Sequence, residues 1–257
     1  MDYVIICLIA FLGSGLTLFT GFGLSTILIP AFALFFPIDL TIAMTAIVHF
    51  LNNLFKLTLF RRHTNKQVVF RFGIPSVIAA FAGAFLLFKL ADLSPLAEYS
   101  LQGKTFFITP IGLTIGLLLI FFSFFDIVPA FTKIQFDKKY LPLGGILSGF
   151  VGGVSGNQGA LRSAFLIRAG LTKEAFIASG IAIACITDIS RLTVYSGEIF
   201  KHQADFNFQI IFAAVLSAFA GVFIGNMFVK KITIKTLQNF VAIMLIIFGM
   251  LLCLGII

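Results

Sequence analysis

The chain has 257 residues, 60% of them hydrophobic and only 11% charged, with a mean hydropathy of +1.10. A soluble domain of this length needs far more charge to cover its surface, so that class is excluded and a polytopic membrane protein is indicated. The formal net charge of +8 gathers mostly in two inter-helix loops, which is the positive-inside bias of a membrane protein and not the footprint of a nucleic-acid binder.

Residues 3–36 form an apolar stretch too long for one crossing. As one helix its 34 residues would reach roughly 51 Å, against a hydrocarbon core of about 30 Å. Its middle holds Thr20, Gly21, Phe22 and Gly23, where two glycines can break the helix, and Pro30 and Pro37 add punctuation. The start lacks a basic n-region and a small-residue cleavage site, so this run is expected in the mature protein. A spanning helix is predicted at about 41–60, followed by a basic loop with Arg61, Arg62, His63, Lys66 and Arg71. Further helices are predicted at about 72–90 and 106–126, separated by a polar loop with Asp92, Glu98 and Lys104. The second half opens with 141–169, interrupted by the run Gly152 to Gly159. Helices at about 175–196, 207–229 and 236–256 complete it. Cys7, Cys185 and Cys253 are scattered singly and read as small core hydrophobes.

The halves repeat. Asn53, Leu54, Phe55, Lys56, Leu57, Thr58, Leu59 and Phe60 match Asp188, Ile189, Ser190, Arg191, Leu192, Thr193, Val194 and Tyr195 at an offset of 135. Residues 76–85 match 214–223 at an offset of 138, which brings Gly83 onto Gly221. This divides one membrane domain into repeats 1–136 and 137–257. Charge orients them: Arg61, Arg62, Lys66 and Arg71 place one loop in the cytoplasm, and Lys230, Lys231 and Lys235 place another. Segment 141–169 then starts and ends on the cytoplasmic side, so it must enter and return. Corresponding loops fall on opposite sides. The fold class expected is therefore an all-α polytopic membrane protein of two inverted-topology repeats, each a broken re-entrant or hairpin segment followed by three transmembrane helices.

The hairpin tips are the first candidate site. A returning leg begins a helix near the midplane, with free N–H groups and a positive dipole end at the tip. Gly21, Phe22 and Gly23 on one side, and Gly156, Asn157, Gln158 and Gly159 on the other, would offer those groups to an anion. The plain alternative is that the glycines only permit a tight turn. Lys56 and Arg191 come second, with Asn53 beside Lys56. Cations at matching places in lipid-spanning segments suggest a site, although both side chains lie near enough to a helix end to snorkel. Arginine's planar fork suits a sulfite, sulfonate or carboxylate oxyanion. Arg162, three residues past Gly159, adds a third cation, with a water-filled cytoplasmic vestibule as the alternative setting.

Asp188 is read as the intramolecular partner of Arg191, three residues away, or as a proton or sodium site. His49 is a proton-relay candidate or a plain hydrogen-bonded histidine. No catalytic motif, metal-ligand set or cofactor fingerprint is found, so neither an enzyme nor an ATP-driven pump is expected.

The two-fold repeat, the glycine-broken start of each half and the small-residue helix after it resemble the sulfite exporter TauE/SafE family over nearly the whole chain. Two departures are that Asn157 and Gln158 interrupt the second glycine run, and that Pro30 has no proline counterpart near Leu166. The resemblance implies a multi-pass transporter of the bacterial-type plasma membrane, carrying sulfite, organosulfonates or related sulfur oxyanions. An anion channel or a non-transporting receptor on the same scaffold is the alternative. The partners expected are a small anion, the lipid bilayer, a proton or sodium as coupling ion, and a second copy of the chain in a homodimer.

Overall fold

A chain whose solvent is lipid reverses the soluble distribution of side chains, and this one does so. Ser14, Asn52, Asn53, Ser76, Ser148, Thr187 and Asp188 are buried, whereas Ile78, Phe85, Phe212 and Phe223 are exposed. The computed structural model describes residues 2–20, 24–128, 135–201, 206–228 and 234–257.

The first half contains α1 (Asp2–Thr20), α2 (Leu24–Ala33), α3 (Ile38–Phe60) and α4 (Lys66–Ala91). A two-stranded antiparallel hairpin follows, β1 (Ala97–Leu101) with β2 (Lys104–Ile108), and then α5 (Pro110–Ile127). The second half contains α6 (Leu141–Ser155), α7 (Gly159–Leu166), α8 (Lys173–Lys201), α9 (Phe208–Phe228) and α10 (Ile234–Cys253). Among the described residues, four helical segments are long and apolar enough to cross a bilayer: Ile38–His63, Lys66–Ala91, Lys173–Gly197 and Phe208–Gly225. The chain is thus a mostly helical, polytopic membrane protein.

The second long apolar opening breaks at Gly156, which takes the left-handed conformation (φ 71°) at the end of α6 while its N–H still bonds the Gly152 carbonyl at 2.9 Å. A residue with a Cβ would be strained there, so glycine sets where α6 stops. The break expected at 21–23 lies outside the described residues.

Helix pairing is crossed between the halves. α4 runs parallel to α6, with Gly145 against Phe72 and Pro75, Gly149 against Ser76, and Gly153 against Ala80 and Ala84. α1 runs parallel to α9: the Tyr3 hydroxyl donates to Asn207 at 3.2 Å, Gly221 meets the Phe11 carbonyl, and Gly225 meets Gly15. Gly83 presses on the Phe150 carbonyl as Gly221 presses on that of Phe11, and these are the two glycines matched in the repeat. Close approach of backbone explains why both positions are glycine. α5 and α10 are antiparallel, with Gly112 beside Leu252 and Gly116 beside Gly249 and Cys253. α3 and α8 are also antiparallel, since His49 meets Asp188 and Asn65, just beyond α3, meets Ser179.

Two element boundaries differ from the sequence expectation. The basic loop expected over 61–71 is mostly helical. Arg61–His63 form a 3-10 turn, and α4 begins at Lys66, capped by Asn65 Oδ1 accepting from Val68 N at 3.1 Å. Lys66 and Arg71 therefore ride on the first two turns of α4. The helix expected from 106 begins at Pro110, where Thr109 caps the Gly112 N–H at 3.1 Å. The residues before it form β2, and Tyr99 stacks on Phe106 across the hairpin with ring centroids 5.4 Å apart. Phe106, Phe107 and Ile108 are apolar like the start of α5, and the Thr109-Pro110 step between them, a cap followed by a first-turn proline, is the local signal that separates strand from helix.

Candidate anion site

Arg191 is the largest fully buried side chain, with 0% of its surface exposed. It sits two-thirds of the way along α8, at the level where α8 passes α3 and the α6–α7 break. Its Nε donates to Asp188 Oδ1 at 2.9 Å, one turn back on the same face. Its two terminal nitrogens, Nη1 and Nη2, have no hydrogen-bond partner among the described residues. A guanidinium so deep in the protein does not snorkel, and leaving its outer edge unbonded is costly unless something anionic meets it.

The geometry says where that edge points. A Cβ built on Gly156 would lie 2.7 Å from Arg191 Nη1 and 2.7 Å from Ser25 Oγ, so tip, guanidinium and hydroxyl converge on one spot. Ser25 Oγ is itself buried without a hydrogen-bond partner. Beside it, the Thr26 hydroxyl donates to Asn157 Oδ1 at 3.1 Å, which ties the start of α2 to the α6–α7 break. Gln158 is buried with both side-chain amide atoms unpartnered, and its carbonyl accepts from Ser148 Oγ at 3.1 Å. Tyr195, a turn beyond Arg191, donates its hydroxyl to the Gly153 carbonyl at 2.6 Å and braces the end of α6 from below.

Arg162 projects from α7, buried, with Nη1 unpartnered and Nε 3.5 Å from where a Cβ on Gly180 would be. A larger residue at 180 would crowd it. Lys56 is buried on α3 and makes no hydrogen bond or ion pair with a described residue. Its charge and that of Arg162 lie within electrostatic reach of one another. Among the described residues the buried charged side chains are thus Lys56, Arg162 and Arg191, set against Asp188 alone, with His49 alongside. An excess of buried positive charge is the condition under which an anion, and not a cation, is drawn in.

Asp188 faces two partners. Oδ1 accepts from Arg191, and Oδ2 lies 2.7 Å from His49 Nδ1 on α3. Asn53, one turn along α3, places its Nδ2 3.1 Å from His49 Nε2. Asn52 accepts from Ser14 Oγ at 2.8 Å, which holds α3 against α1.

Of the residues expected from sequence, His49, Asn53, Lys56, Gly156, Asn157, Gln158, Gly159, Arg162, Asp188 and Arg191 are all buried in this region. Gly21, Phe22 and Gly23 lie outside the described residues. Sequence reasoning missed Ser25, Thr26 and Tyr195 as members of the region. The signal for Ser25 and Thr26 was available, since hydroxyl residues in the first turn after a glycine break stand next to the free N–H groups of a starting helix.

A mostly helical chain with several apolar helices and charged side chains buried among them belongs to the class of polytopic membrane proteins. The sulfite exporter TauE/SafE family model matches residues 6–252, nearly the whole chain, and the protein belongs to that family, whose members are membrane transporters and not enzymes. No curated protein and no solved structure matches it.

Proposed function

We propose that the protein is a secondary transporter of the plasma membrane that moves a small sulfur oxyanion, such as sulfite or an organosulfonate, by alternating access. The observation that carries this reading is the buried Arg191 fork, held by Asp188 at Nε and without a hydrogen-bond partner among the described residues at Nη1 and Nη2, facing Gly156 and Ser25. A trigonal or tetrahedral oxyanion offers paired oxygens that match two parallel N–H donors. Ser25, Gln158 and the first N–H groups of α2 and α7 supply the remaining donors, and Arg162 and Lys56 supply charge.

The helix directions support inverted repeats. α1, α3, α4 and α5 correspond to α6, α8, α9 and α10. The α1–α9 contact has its counterpart in α6–α4, and the self-paired α3–α8 and α5–α10 contacts are antiparallel. Antiparallel self-pairs are what a two-fold axis lying in the membrane plane produces. The anion then sits between halves, with Ser25 and Lys56 from one and Gln158, Arg162 and Arg191 from the other, where a relative tilt would open it to either side.

A flux assay in proteoliposomes tests this, with sulfite, sulfate, thiosulfate, small sulfonates and carboxylates as the panel. Saturable flux, accumulation against a concentration gradient when an ion gradient is imposed, and loss of both in Arg191→Gln are expected. Unsaturable flux without accumulation would mean a channel. Binding without flux would mean a receptor.

A further inference from the structure

The coupling ion is legible in the contacts of His49. This residue stands on α3, in the first half, and the carboxylate it touches stands on α8, in the second. The ring proton on Nδ1 is donated to Asp188 Oδ2 at 2.7 Å, since a carboxylate oxygen can only accept, while Asn53 Nδ2 lies 3.2 Å from Nδ1 and 3.1 Å from Nε2, over the face of the ring, and leaves Nε2 without an in-plane partner. The other charged or titratable groups nearby are Arg191, Cys185 and Tyr195 on α8, Arg162 on α7 and Lys56 on α3. α2, α6 and α9 carry no titratable side chain.

Among the described residues a sodium ion finds no seat here. Both oxygens of Asp188 are already taken by nitrogen donors, Arg191 and Arg162 lie within electrostatic reach of it, and no cluster of acidic, histidine or cysteine ligands for a metal ion is present. A hard cation requires several oxygen ligands. An imidazole Nε2 is the acceptor of an added positive charge that remains, and the particle that fits it is a proton.

Resting on the reading of Arg191 as the anion's anchor, we propose that His49 takes up a proton when the anion binds, so that anion and proton occupy the site together. The bonding changes are as follows. The anion accepts from Nη1 and Nη2 of Arg191, which must now serve two negative groups where it served Asp188. A proton from water adds to His49 Nε2. Nδ1–H stays on Asp188, which gains a full cation on that side as Arg191 leans toward the anion. Nothing is oxidised or reduced, and one proton is consumed per cycle of binding. By linkage the dependence is mutual: what the proton does for anion affinity, the anion does for proton affinity.

Calorimetry on the purified full chain tests this with thiosulfate and methanesulfonate, which stay fully ionised over the range used, so that any pH dependence belongs to the protein. Bis-tris, imidazole and Tris differ in ionisation enthalpy and are cationic; sulfonate and phosphate buffers would compete for the site. The binding heat is expected to vary with buffer in the sense of proton uptake, and affinity to rise by up to about tenfold for each unit of pH lowered between about pH 8 and 6. His49→Gln, which can still donate to Asp188, is expected to bind with no proton uptake and an affinity flat with pH. Binding with buffer-independent heat and flat affinity in the wild-type protein would overturn the proton link while leaving the anion site standing. Uptake undiminished in His49→Gln would overturn it as well. If neither probe nor sulfite binds, the anion-site reading fails, and the proton link fails with it.

Discussion

Arg191 offers the sharpest separation between an anion anchor and a purely structural ion pair. If Nη1 and Nη2 each make one charge-assisted hydrogen bond to the anion, each contributes about 1.5–3 kcal/mol. Arg191→Gln removes both and should weaken binding by about 3–6 kcal/mol, or roughly two to four orders of magnitude in Kd. Arg191→Lys keeps the charge but offers one ammonium where Asp188 and the anion both need a donor, so about one bond is lost, a weakening on the order of 10- to 100-fold. Asp188→Asn releases the guanidinium from its carboxylate and should spare binding or tighten it.

Stability follows a different order. Breaking a buried pair by neutralising one partner costs about 3–5 kcal/mol in soluble proteins. In Arg191→Gln the orphaned Asp188 still has His49 at 2.7 Å, which places that variant near the low end. Melting temperature and thiosulfate or sulfite affinity, measured on the same four samples, distinguish the readings. An Arg191→Lys protein that binds like wild type would refute the anchor. So would an Asp188→Asn protein that loses affinity in proportion to its lost stability.

Gly156→Ala should lower both affinity and stability, because its Cβ meets Arg191 Nη1 and Ser25 Oγ at 2.7 Å and the left-handed backbone costs about 1–2 kcal/mol; titration and a melting curve read the two effects. Gly83→Leu and Gly221→Leu fill equivalent contacts with a carbonyl of the opposite half and should each destabilise by about 1–3 kcal/mol or more. A silent result in either one would break the equivalence of the α4–α6 and α1–α9 pairs. Thr26→Val and Asn157→Leu should show a coupling of about 0.5–1.5 kcal/mol in a double-mutant cycle of thermal stability, with additivity as the refuting result. Cysteines placed at Thr64 and Ile257 should label from opposite sides of the membrane, the former from the cytoplasm, and labelling from one side would contradict the orientation drawn from the basic residues.

Much of the fold was legible because lipid imposes its rules residue by residue. Apolar run length marks the candidate crossings, and the glycine run ending at Gly159 marks where the second opening breaks; both are local properties of the chain. The matched cations at Lys56 and Arg191 were visible for the same reason, since a charge in an apolar run stands out without knowledge of its partners. The β-hairpin at 97–108 was missed, because its apolar end, Phe106 to Ile108, was run together with α5 and the pairing of the two strands is a contact that hydropathy does not report. The site's wiring was legible only in part. Asp188 and Arg191 share a helix face, so their pairing followed from a spacing of three. The pairing of His49 with Asp188 spans 139 positions and that of Thr26 with Asn157 spans 131, and no periodicity reaches so far. By itself the sequence determined that this protein spans a membrane, where its helices break and which charges it buries. Which half each helix packs against, and which edge of Arg191 is left for a ligand, were decided by tertiary structure, because those contacts exist only once distant segments are brought to the same depth.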